Sequence, residues 1–135
     1  MKRETLSRRS EIGAFGEKLV ATDLKTKGYR ILERNYLKPW GELDIVAVAP
    51  DRTLVIVEVK TLRQNSGQAL PENESFTPEK NLTRAKLVKL QRTAQLFAGH
   101  RPELVDEKMG WRIDLAAITL RGDGEKPLIR YYENL

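Results

Sequence analysis

The chain has 135 residues, 40% apolar and 32% charged, with a formal net charge of +5, which reads as one soluble globular domain with enough chain for a real core. The lack of cysteine excludes disulfides and thiolate zinc sites. With His100 the only histidine, any metal must be held mainly by oxygen, which favours Mg²⁺ or Mn²⁺ over zinc. No stretch is long enough to span a membrane and no apolar run follows the basic Met1-Lys2-Arg3-Glu4, so no membrane partner is expected and the expected compartment is the cytoplasm.

Residues 1–10 are polar and expected to fray, with Ser7 or Ser10 as candidate N-caps. A helix is predicted from about Ser10 to Lys27, where Ile12, Phe15, Leu19 and Leu24 recur at helical spacing and Gly28 suits a C-cap. Glu17 falls at the edge of that apolar face, beside Val20 and Leu24. It is either a solvated surface residue or one that reaches the rim of a core-side cleft. Tyr29–Tyr36 is a first strand, polar enough to be an edge.

Two apolar, β-branched strands follow, Gly41–Val48 and Leu54–Lys60, joined by a link short enough for an antiparallel hairpin. Each carries charge where a buried strand should not: Asp44 in the first, Glu58 and Lys60 in the second. Paired positions in a hairpin add to a constant and share a face. An even constant sets Asp44 opposite Glu58 (sum 102) or Lys60 (sum 104), whereas an odd one strands its carboxylate among apolar packing. Burying a lone charge costs several kcal/mol, so the even register is predicted. Two acids and a lysine then converge on one patch.

Arg63 to Thr77 is a polar stretch of the length that is either functional or disordered. A second helix is predicted from about Pro78 to Ala98, capped by Thr77, with Leu82, Leu90, Ala94 and Phe97 on its buried arc. Lys86 lies within that arc, where it either snorkels outward or points into the same cleft as Lys60. Arg84, Lys89 and Arg92 add positive charge with no acid between Lys80 and Arg92. This run is either a solvated face or a track for a phosphate backbone. Trp111–Ile118 and Pro127–Tyr132 are the last strands, with a turn at Asp123-Gly124 that also takes in Arg121-Gly122-Asp123. Arg112 and Asp114 share a strand face and read as a structural ion pair near the sheet end. The order α-β-β-β-α-β-β implies a right-handed crossover and a parallel pair in a mixed sheet.

Asp44 and Glu58 could hold a divalent cation with help from the Val59 carbonyl and water, and Lys60 would orient that water or stabilise developing charge. Glu-x-Lys alone carries no weight; the preceding acid, the apolar strands and the element order give it force. On these residues the chain resembles the D–(D/E)-x-K core of the restriction-endonuclease-like superfamily. More closely it resembles the small bacterial endonuclease-like family known as YraN-like, related to archaeal Holliday-junction resolvases. Gly13-Ala14-Phe15-Gly16-Glu17, Gly28-Tyr29, Arg34-Asn35-Tyr36 and Arg112-Ile113-Asp114 extend the likeness over nearly the whole chain, with Ile113 standing where that family usually has an aromatic residue. The resemblance implies an α/β (α+β mixed-sheet) fold with an αβββαβ core, the central sheet flanked by helices. It also implies a catalytic set of Glu17, Asp44, Glu58 and Lys60, and Mg²⁺- or Mn²⁺-dependent hydrolysis of DNA, branched DNA foremost; a homodimer is one candidate assembly, and the sequence does not give the oligomeric state. Lys86, Arg84, Lys89 and Arg92 are the candidate nucleic-acid contacts. The rival expectations are a nucleic-acid-binding module that turns over little, and a structural or partner-binding protein whose acids merely bind a cation.

Overall fold

The computed structural model describes residues 2–64, 82–122 and 124–135, with side chains from 11 to 62 and in the two later segments. In chain order it comprises α1 (Lys2–Thr26), β1 (Arg30–Lys38), β2 (Gly41–Val48), β3 (Leu54–Gln64), α2 (Arg84–His100), a single 3₁₀ turn (Pro102–Leu104), β4 (Trp111–Arg121) and β5 (Leu128–Tyr132). The five strands form one mixed sheet in the order β1-β2-β3-β4-β5. β3 and β4 run parallel and the other neighbours antiparallel, because only the β3–β4 connection carries a helix between its strands. This is the predicted α+β architecture, with β1 at an edge.

Alternation along the central strands builds two cores. Ile45, Ala47, Val55 and Val57 face Val20, Ala21 and Leu24 of α1. Val46, Leu54 and Ile56 face Leu90, Ala94, Phe97 and Ala98 of α2. The strands are apolar throughout because both faces are covered, and Ile113 is a buried member of the α2 core.

Both helices start elsewhere than predicted. α1 begins at Lys2, so neither Ser7 nor Ser10 caps it. Residues 2–10 contain no Gly or Pro, and their Lys, Arg, Glu and Leu are good helix formers. Its buried stripe is Gly16, Glu17, Val20, Ala21 and Leu24, while Ile12 and Phe15 are 41% and 49% exposed. Gly28 does close the helix. At φ +89° it allows its own N–H to reach Lys25 O and that of Tyr29 to reach Leu24 O, a Schellman pairing. α2 begins at Arg84, not at Pro78. Its cap is Thr83, whose Oγ1 accepts from the Lys86 N–H at 3.2 Å. Leu82 therefore precedes the helix. Thr77, Pro78 and the rest of 65–81 lie outside the described residues, as does Asp123 of the predicted turn; β3 runs on through Arg63 to Gln64.

Gly16 sets how close α1 comes to the sheet. A Cβ there would stand 2.2 Å from Thr61 Oγ1 and 3.1 Å from Ile118 Cδ1. Gly16→Ala would gain about 1 kcal/mol of helix propensity, but the overpacking costs about 1–3 kcal/mol, so steric cost wins. The variant should unfold at lower urea concentration, and Thr61→Ala in the same chain should restore the loss by removing the clashing hydroxyl. An unchanged urea midpoint in the single variant would show that α1 rides further from β3.

Candidate active site

The site forms where β2 parts from β3. Their ladder runs from Val48↔Leu54 to Ile45↔Val57, a pair sum of 102, so the next step sets Asp44 against Glu58 as the even register requires. That step is a side-chain contact. The Asp44 carboxylate accepts the Val59 N–H at 2.8 Å and a hydrogen bond from the Glu58 carboxyl. The β1–β2 ladder also skips this level, passing from Arg34↔Ile45 to Tyr36↔Leu43. There Asn35 adopts φ +56°, a left-handed conformation that asparagine tolerates better than most residues. Its side chain turns to hydrogen-bond Glu17. One broken level across three strands thus brings acids together from α1, β2 and β3.

Glu17 is buried, 8% exposed, which removes the solvated-surface reading. Its position in the stripe with Val20, Ala21 and Leu24 explains the burial. Among the described residues its Oε2 has no hydrogen-bond partner. Burial first, then the Asp44 charge, pushes its carboxyl up to about 7 against the opposing pull of Arg34 and the Asn35 hydrogen bond. Burial and the adjacent Asp44 push Glu58 up to about 8, with Lys60 pulling the other way. Asp44 is also raised by burial, restrained by the Val59 amide and by Glu58. The pair shares a proton that resides on Glu58, since Asp44 already receives a backbone donor.

On the α2 side a cleft of about 290 Å³ is lined by Glu42, Glu58, Leu82, Lys86, Lys89, Leu90 and Thr93. Lys86 is exposed, not set in the buried arc: four residues before Leu90 in the first turn of α2, it meets the cleft instead of packed side chains, and faces the same opening as Glu58. Lys89 joins it there. Arg84 and Arg92 are exposed on the same helix but do not line the cleft. Lys60 is exposed on β3, its charge felt at Glu58. Glu42 was missing from the sequence reading. It lines the cleft and raises Glu17, Asp44 and Glu58; its place two residues before Asp44 is the signal that could have revealed it. Among the described residues no three acidic or histidine side chains stand in metal-holding geometry. The Asp44–Glu58 pair itself is an all-oxygen donor set suited to a hard divalent cation.

Arg112 and Asp114 form the predicted structural pair. The guanidinium Nε donates to Asp114 at 3.0 and 3.2 Å and Nη2 to the Tyr29 hydroxyl at 3.2 Å. Asp114 also accepts the Asn134 N–H at 3.0 Å, tying the chain terminus to the sheet.

A mixed five-stranded sheet between two helices, with an acid pair and a lysine where its second and third strands part, defines an α+β protein. Residues 16–118 match the Uncharacterised protein family UPF0102, and the chain belongs to that family. A UPF0102 protein of Syntrophomonas wolfei is 45% identical over 89 residues, covering 64% of this chain and 75% of its own. One from Alkaliphilus oremlandii is 35% identical over 127 residues, covering 92% and 96%. One from Pelobacter propionicus is 39% identical over 125 residues, covering 90% and 79%. No described helix is long and apolar enough to cross a membrane.

Proposed function

We propose that this protein is a divalent-metal-dependent nuclease that hydrolyses DNA phosphodiesters, with branched or structured DNA as its substrate class. The observation that carries the reading is the contact between Asp44 and Glu58 at the broken strand level, in a cleft whose other wall presents Lys86 and Lys89. Two half-buried acids that must share a proton are poorly compensated by the protein alone. Asp44 and Glu58 would hold Mg²⁺ or Mn²⁺, which when bound supplies positive charge against a phosphoryl oxygen and lowers the pKa of coordinated water. Asp44 is fixed in place by the Val59 amide. Lys60 supplies a positive charge on the Glu58 side, and Glu17, near neutral pH, can hold or release a proton behind Asp44. Lys86 and Lys89 position a phosphate backbone across the opening. A DNA substrate places the working protein in the cytoplasm. The same proposal extends to a homodimer, one copy per strand, read as a doubled mass in sedimentation. Cleavage assays on linear, nicked and branched DNA with Mg²⁺ or Mn²⁺ test it, and wild-type protein that cuts none of them would overturn it.

One observation favours a second reading, a nucleic-acid-binding module with little turnover: the described residues offer no third acid in metal-holding geometry. Under either reading affinity should fall with salt, by roughly 0.9 log–log units per duplex phosphate neutralised. Neutralising Lys89 and Arg92 together should flatten that slope by up to about two units. An unchanged slope would assign these charges to solvation.

A further inference from the structure

The geometry points to Trp40 as a stacking platform for an unpaired nucleobase of the strand whose phosphates lie on Lys86 and Lys89. This inference rests on the nucleic-acid reading of the cleft and adds a base contact to it. Trp40 stands at the tip of the β1–β2 hairpin, between Pro39 and Gly41, with Lys38 paired to Gly41 at the turn's base. Trp40 is 42% exposed. One side of the ring is held: His100 meets it edge to face, centroids 6.5 Å apart and planes at 73°.

The hairpin is pinned along α2. A Cβ on Gly41 would run into the Thr93 side chain, so glycine lets the hairpin backbone pack directly on Thr93 of α2. Glu42, next along, lines the cleft with Lys86, Lys89 and Thr93. Reading along α2, Lys86 and Lys89 sit at the cleft, Thr93 meets Gly41, and His100 meets Trp40. From Lys86 to His100 the helix rises roughly 21 Å at about 1.5 Å per residue, a span of a few nucleotides. Leu96, one turn before His100, is 37% exposed and continues the apolar strip. Lys38 adds positive charge at the aromatic end, its ammonium 5.6 Å from the Tyr36 ring centroid.

An exposed, edge-supported indole on a rigid turn, in line with phosphate-facing lysines, combines the two elements of single-strand recognition: charge that follows the backbone and an aromatic face that accepts any base. Branched DNA offers such bases where duplex arms meet. Glu42, two residues beyond Trp40, lines the cleft together with Glu58.

The experiment compares a fluorescently labelled single-stranded oligonucleotide with an abasic strand of equal length, which keeps the phosphates and lacks the bases. Wild type should bind the base-bearing strand roughly 5- to 150-fold more tightly than the abasic one, the range for one stacked base. Trp40→Ala should bind both alike, with the salt slope unchanged, and Trp40→Phe should keep most of the preference. In a Trp111→Phe background, where Trp40 is the sole indole, emission should be quenched by the base-bearing strand and much less by the abasic one. A Trp40→Ala protein that keeps the wild-type preference would overturn the inference while leaving the nuclease reading intact. So would Trp40 emission that shifts with protein concentration alone, which would assign the patch to a second copy. Wild type that binds neither strand removes the nucleic-acid reading and the platform together.

Discussion

Lys60→Ala is expected to abolish metal-dependent DNA cleavage while leaving DNA affinity nearly unchanged. Lys60 follows Glu58 by two residues on β3, within the parallel register that continues to Gln64↔Arg121, so its charge is carried on the rigid side of the parting strands. Its influence already reaches the site, where it draws the Glu58 carboxyl down against the larger effects of burial and Asp44. Removing a fixed charge that favours the transition state costs on the order of 10²–10³ in rate. Binding spreads over several phosphates, so one lost contact is a small part of the total. Glu58→Gln should lose cleavage and cation binding together, because it removes one of the two carboxylates. Single-turnover cleavage of a labelled branched duplex with Mn²⁺, beside equilibrium binding of the same duplex, separates these outcomes. A Lys60→Ala protein that cuts at the wild-type rate would strip Lys60 of its role. A wild type that binds but never cuts would move the protein to the binding-module reading.

The part of this site that was legible in the sequence came from the cost of misplaced charge. Asp44 in an apolar strand is tolerable only on the face that carries Glu58 and Lys60, which leaves the two even registers, and the structure takes the one that sums to 102. The parallel β3–β4 pair followed from element order. What escaped depended on small residues and local backbone. The face of α1 that meets the sheet is marked by Gly16 and Glu17 and not by the larger Ile12 and Phe15. A pattern that weighs apolar bulk rotates that helix away from its true contact and leaves Glu17 at an edge. The left-handed Asn35 leaves no periodic trace, although it interrupts a ladder and hands Glu17 a hydrogen-bond donor. The predicted cap was Thr77 and the observed one is Thr83; a Thr before a run that can be helical gives the same signal at either place. Lys86 shares the phase of Leu90, but in the first turn of α2 that face meets the cleft and not a packed core, which periodicity alone cannot tell.

Metal-free protein should be less stable at pH 8 than at pH 5, and a divalent cation should reduce or reverse that difference. The Glu58 carboxyl moves from 4.5 to about 8 and Glu17 from 4.5 to about 7 on folding. Between those values the native state keeps protons that the unfolded chain has released, so stability declines as pH rises. Below about 4.5 both states are protonated and the full contribution is present; above about 8 it is gone. The lowered carboxyls of Asp51 and Asp106 act in the opposite sense, but only below their ordinary value of 3.8, outside this window. At about 1.36 kcal/mol per unit, the loss for a coupled buried pair is on the order of a few kcal/mol. A bound cation favours the ionised pair and draws its folded pKa down, which restores stability at pH 8 by about 2.7 kcal/mol at a hundred times Kd. For a chain of this size that is a rise in Tm of roughly 10 °C. Glu58→Gln should flatten the decline between pH 5 and 8, raise metal-free stability at pH 8 and erase the response to Mn²⁺. Asp44→Asn should act in the same direction, since it removes the charge that holds the proton on Glu58 while its amide oxygen can still accept from Val59. Thermal melts at both pH values, with and without Mn²⁺, read all three proteins. A wild type whose Tm at pH 8 ignores millimolar Mn²⁺ would take the cation out of the mechanism and leave Asp44 and Glu58 as a proton-sharing pair that serves the fold alone.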